Sequence, residues 1–246
     1  MREQCKVWWA SKKDAFHRQR SEVWLKQNAY ELLCLFPHGG TLLDVGCGNA
    51  QLLTYLAPHY DKVIGIDFSP GMLEAARQRV EAFGLKNVHL ESGDACQFPA
   101  SVSHADVILS SHVVQDLDPA EVRLHLQECS RVLTPSGAVG LCGIPWVNLR
   151  DWYYSGGVQL PPSTGIRQSL RAMRRYLHLR WQQCRGVVKA DGIGCWYGRD
   201  EIVRIAKSEG FDCHIVHAWY YEHRFHARLR RKPWSSLNAP ECLGPE

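Results

Sequence analysis

A glycine-rich turn and three carboxylates form the pattern in this sequence that could bind a ligand. In the run Asp44-Val45-Gly46-Cys47-Gly48, the glycines let the chain turn sharply after an apolar segment and bring backbone N–H groups close to a ligand. Asp67 ends a second apolar segment, where a carboxylate can accept hydrogen bonds from both hydroxyls of a ribose. Asp94 follows a third apolar segment and can accept from the amine of an adenine. The pattern predicts a nucleoside-binding crevice.

Other interpretations exist for each part of this pattern. A dinucleotide-binding turn would have a third glycine where this sequence has Gln51, which disfavours an NAD-dependent oxidoreductase. A single Asp is often only a loop or helix-capping residue, but three behind one glycine turn fit a shared crevice better. Cys47 could be a nucleophile, but nothing in the sequence indicates that its pKa is lowered. We therefore interpret it as a small residue that packs in the turn.

Alternating strands and helices must position these residues. Apolar runs predict strands at residues 41–45, 62–67, 88–92, 105–110 and 138–142. Helical periodicity and capping signals predict helices over residues 14–36, 51–56, 70–83, 119–133 and 199–209. Two further strands follow at 211–221 and 223–231. Because the first strands are almost continuously apolar, we expect a parallel sheet covered on both faces.

These motifs resemble those of class I S-adenosylmethionine-dependent methyltransferases. The run Asp44–Gly48 resembles their first motif, residues 65–72 their second and residues 92–95 their third. Residues 106–114 resemble the stretch that lines the methyl-transfer site, and residues 131–137 resemble the turn before the fifth strand. The resemblance is close over residues 20–144 and looser over 196–231.

The resemblance implies an α/β, Rossmann-like sheet of seven mostly parallel strands, with helices on both faces, an antiparallel last strand and a lid inserted after the fifth strand. The expected regions are an N-terminal helical cap (1–37), a cofactor-binding core (38–144), an aromatic and basic lid (145–198), a closing helix and strand pair (199–232) and a loose tail (233–246).

The same resemblance implies how S-adenosyl-L-methionine would be held. Its methionine part would lie against the glycine turn and the end of the fourth strand, at Asp44, Gly46, Cys47, Gly48, Ser110 and His112. Its ribose would bind Asp67, and its adenine would lie between Phe68 and Met72 on one side and Asp94 and Ala95 on the other. Phe68 could instead be a core aromatic at the start of a helix.

Transfer from a sulfonium needs a base only when the acceptor carries a proton. His112 and Tyr197 are the candidates, although His112 fits a pocket wall or a cofactor contact as well. The acceptor would be bounded by Trp24, Tyr30, Trp146, Trp152 and Tyr197. These rings could stack on a planar substrate or enclose an amine, or they could pack the lid onto the sheet.

The lid contains a predicted basic helix over residues 166–185. Its apolar positions, which we expect to pack, are Ile166, Leu170, Met173 and Leu177. Its arginines either face solvent or attract an anionic substrate.

Composition excludes several classes of protein. The 246 residues carry a net charge of +4 and contain no apolar stretch long enough for a signal peptide or a membrane span, so we expect a cytoplasmic protein. The 10 cysteines form no Cys-x-x-Cys pair, and the His-x-x-His pairs at 214/217 and 223/226 lie in predicted strands, so we expect no metal. A pI of about 8.5 and the lack of a recognisable nucleic-acid module disfavour nucleic acid as a partner.

The leading hypothesis is therefore an enzyme that methylates an oxygen or nitrogen atom of a small, anionic or aromatic biosynthetic molecule. The alternatives are a methyltransferase acting on RNA or protein, and a non-catalytic subunit that binds the cofactor and stabilises a partner. The sequence does not indicate an oligomeric state.

Overall fold

Seven strands form one sheet in the part of the chain that the structure describes. The computed structural model describes residues 21–155 and 194–231, together with residues 170, 173, 174, 176–178 and 181. The strands are β1 (Thr41–Val45), β2 (Lys62–Asp67), β3 (Val88–Ser92), β4 (Ala105–Ser111), β5 (Leu133–Pro145), β6 (Phe211–His217) and β7 (Arg224–Arg231).

The strand order is β3-β2-β1-β4-β5-β7-β6. Strands β1 to β5 pair in parallel, whereas β7 runs antiparallel to both of its neighbours, β5 and β6. The predicted Rossmann-like, mostly parallel sheet with an antiparallel last strand is thus confirmed. The carboxyl ends of β1 to β5 lie along one edge, which is where open α/β sheets bind ligands.

Helices cover both faces of the sheet. They are α1 (Glu22–Leu35), α2 (Leu53–Leu56), α3 (Pro70–Ala82), α4 (Pro119–Val132), α5 (Arg150–Tyr154) and α6 (Arg199–Ser208). Apolar residues of α1, α2 and α3 form one buried core with the sheet, and those of α4 and α6 form a second. Because both faces of the central strands are buried, their side chains are apolar without alternation.

Two helices start with the capping residues that the sequence predicts. The Ser69 hydroxyl accepts a hydrogen bond from the N–H of Met72, with Pro70 at the first position of α3. In α4 the Asp118 carboxylate accepts from the N–H of Glu121 at 2.9 Å, and the Glu121 carboxylate accepts from the N–H of Asp118 at 2.8 Å. These bonds fix the first residue of each helix, and both helices follow a parallel strand of the sheet.

Two strands, β5 and β6, differ from the predicted bounds by more than one residue. β5 begins at Leu133 rather than at 138, because Leu133 pairs with Ala105 before a register shift brings Ala138 opposite Val107. The Pro-Ser-Gly sequence at 135–137 predicts a turn, but the structure places it within β5, in the part of the strand where the register with β4 shifts. β6 ends at His217 instead of continuing to 221, and residues 218–223 connect it to β7.

The lid helix differs from the prediction where it is described. Leu170, Met173 and Leu177 are helical, but their side chains are exposed, so the prediction that they pack is wrong. Ile166, most of the basic helix, the tail from 233 and the chain before residue 21 lie outside the described residues.

Candidate functional site

The glycine turn leaves the sheet directly after β1. Gly46 and Gly48 have φ angles of +70° and +55°, in the left-handed region that glycine adopts without a steric penalty. A Cβ on Gly46 would come within 2.5 Å of the Val113 side chain, so the turn also requires the absence of a side chain there. The N–H groups of Gly46 and Cys47 donate to the Ile66 carbonyl at 2.7 and 3.0 Å. These bonds fix the turn to the end of β2.

Asp67 holds the turn from the end of β2. Its Oδ2 accepts a hydrogen bond from the N–H of Gly48 at 2.9 Å, and its Oδ1 accepts from the N–H of Ser69 at 2.8 Å. Burial raises the pKa of the carboxyl, while these two N–H donors lower it. Because each carboxylate oxygen has two lone pairs, both oxygens can still accept a hydroxyl of a ligand.

Asp44 is the buried charge at the centre of the site. Its side chain is only 3% exposed, and no hydrogen bond to it is found in the described segments. Burial raises the pKa of the carboxyl to about 7, and the nearby charge of Asp67 adds to the rise. Since an isolated buried carboxylate is costly, this position favours a ligand that brings a positive charge or a hydrogen-bond donor.

The loop after β3 carries Asp94, whose Oδ1 accepts from the N–H of Cys96 at 2.8 Å. The next carbonyl, that of Ala95, lies 2.7 Å from Nδ1 of His125 on α4, and Nε2 of His125 lies 2.8 Å from the Ser110 hydroxyl. Burial lowers the pKa of His125 to about 4, so the ring is neutral at pH 7. Nδ1–H therefore donates to the carbonyl and Nε2 accepts from the hydroxyl.

This arrangement limits the predicted cofactor contact of Ser110. The side chain is fully buried and its hydroxyl is bonded to His125, so a contact through the hydroxyl is ruled out, whereas a contact through the backbone stays a prediction. His125 itself was not predicted. Its signal in the sequence is a polar residue on the otherwise apolar inner face of α4, next to Val122, Leu126 and Cys129.

His112 follows β4 with a φ angle of +61°, which is strained for a residue other than glycine. Its N–H donates to the Cys142 carbonyl at 2.8 Å. A Cβ on Gly143 would lie 2.8 Å from Cε1 of His112, so glycine at that position gives the imidazole its space. The centroid of the His112 ring lies 6.3 Å from that of Trp24 and 6.0 Å from that of Tyr221.

A row of aromatic rings continues from His112. Tyr221 lies 5.6 Å from His223, and His223 lies 4.5 Å from Tyr153 and 6.4 Å from Trp196. We call this set the aromatic wall; it comprises Trp24, His112, Tyr153, Trp196, Tyr221 and His223. Trp24 comes from α1, Tyr153 from α5, and Tyr221 and His223 from the β6–β7 connection. Because β7 begins opposite Pro145 at the end of β5, the wall lies at the ligand-binding edge of the sheet.

A buried polar link holds α1, and with it Trp24, against the sheet. Glu31 accepts a hydrogen bond from the N–H of Trp219 at 2.7 Å and lies 3.0 Å from Nε2 of His226. Nδ1 of His226 accepts from the N–H of Gly143 at 3.2 Å. Nε2 of His226 therefore carries the proton that it shares with the Glu31 carboxylate.

Tyr197 is not a candidate for catalysis, contrary to the prediction. Its side chain is 1% exposed, and its hydroxyl donates to the Leu117 carbonyl inside the core. Tyr197 directly precedes α6, but its ring lies in the buried core that α4 and α6 form with the sheet.

The other predicted substrate residues lie in different surroundings. Trp24 is part of the aromatic wall, whereas Trp146 packs on the core with the Arg199 guanidinium 3.8 Å from its ring centroid. Trp152 lies 6.2 Å from Tyr176. Tyr30 is half exposed and pairs with Trp219. The structure thus brings Trp24, but not Trp146 or Tyr30, next to His112.

The remaining predicted cofactor contacts surround the glycine turn and Asp67. Phe68 and Met72 are partly buried immediately after Asp67. The Cys47 sulfur lies 3.1 Å from the position that a Cβ on Gly65 would take, so the thiol packs against β2. Burial raises the pKa of this thiol, which remains protonated at neutral pH and is not an activated nucleophile.

In the described part of the chain, no cluster of His, Cys, Asp or Glu side chains could hold a metal ion. No helix within the described residues is long and apolar enough to cross a membrane.

The strand order, the glycine turn after β1 and the carboxylates that follow β2 and β3 define the Rossmann-like fold of class I methyltransferases. Residues 42–137 match the methyltransferase domain family. This match identifies residues 42–137 as a methyltransferase domain, in agreement with the predicted resemblance to class I S-adenosylmethionine-dependent methyltransferases, whose cofactor is S-adenosyl-L-methionine.

Individual relatives agree with this assignment. A demethylmenaquinone methyltransferase of Bacillus cereus (strain ATCC 10987 / NRS 248) is 34% identical over 124 residues, which cover 49% of this chain and 51% of the relative. The chain thus aligns with about half the length of the curated relatives that it matches.

Solved structures share the fold at low sequence identity. DhpI in its complex with SAH is 15% identical with a TM-score of 0.61, and the alignment covers 95% of this chain and 98% of DhpI. The mitomycin 7-O-methyltransferase MmcR is 15% identical with a TM-score of 0.57, over 84% of this chain and 53% of MmcR.

Proposed function

We propose that this chain is an S-adenosylmethionine-dependent methyltransferase that transfers a methyl group to an oxygen or nitrogen atom of a small molecule. The observation that carries the proposal is the Asp44 carboxylate, which is buried beside the glycine turn and whose pKa is raised to about 7. Such a carboxylate is stabilised by a cationic ligand, and S-adenosylmethionine is a cation. The names of relatives, which include a mitomycin 7-O-methyltransferase and a demethylmenaquinone methyltransferase, support a small acceptor.

The residues at the crevice fit the cofactor in three places. Asp67 has two oxygens that can each accept a ribose hydroxyl while keeping their bonds to Gly48 and Ser69. Asp44 and the backbone of the glycine turn would hold the methionine part. The adenine would lie between Phe68 and Met72 on one side and the loop of Asp94 and Ala95 on the other.

When bound, the cofactor supplies a methyl group on a sulfonium sulfur, and the positive charge is lost on transfer. The task of the chain is to hold the acceptor in line with that bond and to exclude water. Trp24 and Tyr221 flank His112 at the end of β4 and can do both. His112 is the candidate to take a proton from a hydroxyl or ammonium acceptor.

The proposal is tested first by binding. Isothermal titration calorimetry should detect binding of S-adenosylmethionine and of its demethylated product to the wild type. The Asp67→Ala variant should lose about 1 to 3 kcal/mol, because two ribose hydroxyls lose a charged acceptor. Asp61→Ala is the matched control, since Asp61 precedes β2 at the opposite edge of the sheet.

Turnover is tested second, by release of the demethylated product in the presence of a panel of small hydroxylated and amino-substituted acceptors. Absence of binding by the wild type would refute the cofactor assignment. Binding with turnover only on bulk tRNA or on peptides would replace the small acceptor by a macromolecule. Binding with no turnover on any acceptor would favour a non-catalytic subunit.

A further inference from the structure

Two polar groups in the aromatic wall are buried and unsatisfied. Within the described ranges of the chain, Nδ1 of His223 and the indole N–H of Trp196 have no hydrogen-bond partner. The His223 side chain is 94% buried, being 6% exposed, and the two rings lie 6.4 Å apart. Buried polar groups almost always have a partner, and leaving one without costs about 1 to 3 kcal/mol. Two such groups in one wall point to a ligand that satisfies them.

His223 is fixed in this position by its backbone. Its carbonyl accepts a hydrogen bond from the N–H of Trp146 at 2.9 Å, and the next residue, Arg224, begins β7 opposite Pro145. Arg224 is buried as well and donates to the Gln115 side chain at 3.1 Å and to the Gly143 carbonyl. The backbone that carries the imidazole is therefore held by the end of β5 and the start of β7.

The surroundings of His223 indicate the chemistry of the ligand. Tyr153 lies 4.5 Å from it at an interplanar angle of 36°, and Tyr221 approaches it edge-on at 5.6 Å. Burial, together with the charge of Arg224, lowers the pKa of His223 to about 4, so the imidazole is neutral at pH 7. A neutral imidazole among aromatic rings recognises a polar hydrogen or a lone pair, and the rings around it fit a flat partner.

We propose that His223 and Trp196 select the acceptor, and that the acceptor is a planar aromatic molecule with a polar oxygen beside the atom to be methylated. Nδ1 of His223 bonds to a hydroxyl of this molecule, and the indole N–H of Trp196 donates to an oxygen. Tyr221 links this position to His112 at the end of β4. The inference rests on the proposed function, since it names the substrate class of the same site.

The test compares two probes that differ by one hydroxyl, 2,3-dihydroxynaphthalene and 2-naphthol. Binding to the full chain, saturated with the demethylated cofactor, is followed by quenching of tryptophan fluorescence and by calorimetry. We expect the wild type to bind the dihydroxy probe about 5 to 20 times more tightly, which is the usual effect of one extra hydrogen bond to a buried group.

The variants delete the hydrogen-bonding groups but keep a ring. His223→Phe and Trp196→Phe should each reduce the preference for the dihydroxy probe, whereas His223→Asn, whose amide replaces Nδ1, should retain part of it. His104→Phe is the control, because His104 is exposed and directly precedes β4 at the opposite edge of the sheet. Thermal melts establish which variants are folded, and either Phe variant alone is sufficient for the comparison.

The outcomes separate this inference from the proposed function. Equal affinity of the wild type for both probes, or an unchanged preference in a folded Phe variant, would overturn the role of His223 and Trp196. If the wild type bound neither probe but still bound the cofactor, the substrate class would be wrong and the methyltransferase proposal would stand. Failure to bind the cofactor would refute the proposed function itself.

Discussion

Cofactor affinity should depend on pH through Asp44, and Asp44→Asn should remove that dependence. In the ligand-free chain, burial and the charge of Asp67 raise the pKa of Asp44 to about 7. A cationic ligand favours the ionised carboxylate, so binding must lower this pKa again. The affinity for S-adenosylmethionine should therefore rise as the pH rises through neutrality, because less proton release is then needed.

The size of the effect follows from the ionised fraction in the free protein. With a pKa of about 7, this fraction is about 9% at pH 6 and about 76% at pH 7.5. The dissociation constant should thus fall by about eightfold over this interval, which is about 1.3 kcal/mol. An α-amino group with a pKa of about 7.7 to 8.0 is still at least about 60% protonated at pH 7.5, so its own titration offsets this eightfold fall by a factor of about 1.6 at most.

The assay is isothermal titration calorimetry at both pH values in buffers of different ionisation enthalpy, which also counts the protons released. The wild type should release about half a proton per site near pH 7, and Asp44→Asn should release none. Asp61→Asn, at the opposite edge of the sheet, should behave like the wild type. A wild type whose affinity is independent of pH, or an Asn variant that keeps the dependence, would refute the role of Asp44.

Three further predictions concern stability. Folding raises the pKa of Asp44 to about 7, so the contribution of this carboxyl to the free energy of unfolding is fully present below about pH 4 and is lost as the pH rises through about 7. At pH 8 the ionised carboxylate destabilises the fold, so Asp44→Asn should raise the free energy of unfolding of the free chain by up to about 4 kcal/mol in urea melts. His125→Leu should cost about 1 to 3 kcal/mol in the same assay, since the Ser110 hydroxyl and the Ala95 carbonyl lose a buried partner; no loss would mean that the bridge is dispensable. Gly143→Ala should lower the melting temperature more than Gly39→Ala, because both have positive φ but only the first places a Cβ against a ring.

The fold and the positions of the glycine turn and its carboxylates could be predicted from local pattern. The bounds of β1 to β3 match the predicted strands, because buried parallel strands are continuous apolar runs that end at polar or glycine residues. Asp44 and Asp67 could be placed for the same reason, since each lies at or near the end of such a run. Their hydrogen bonds and pKa values depend on Gly48 and on burial, which only the assembled sheet provides.

The acceptor half could not be predicted, because it depends on contacts between distant segments. Tyr197 is a candidate by its position directly before the last helix, but its ring is buried in the core formed with α4 and α6. Ser110 is occupied by His125, a partner fifteen residues away on another element. The sequence shows His223 only as half of a His-x-x-His pair. Its place in the aromatic wall depends on the contact between the β6–β7 connection and α5.

The origin of the aromatic wall has a consequence for how this architecture can diversify. Of its rings, only His112 lies inside residues 42–137, the stretch that matches the methyltransferase domain family. The others come from the N-terminal helix, from the segment after β5 and from the final hairpin. On the proposed function, cofactor binding and acceptor selection would thus depend on separate stretches of the sequence. Grafting those three outer stretches onto a related domain should transfer the acceptor selectivity of this chain and leave the nucleoside pocket of the recipient domain intact.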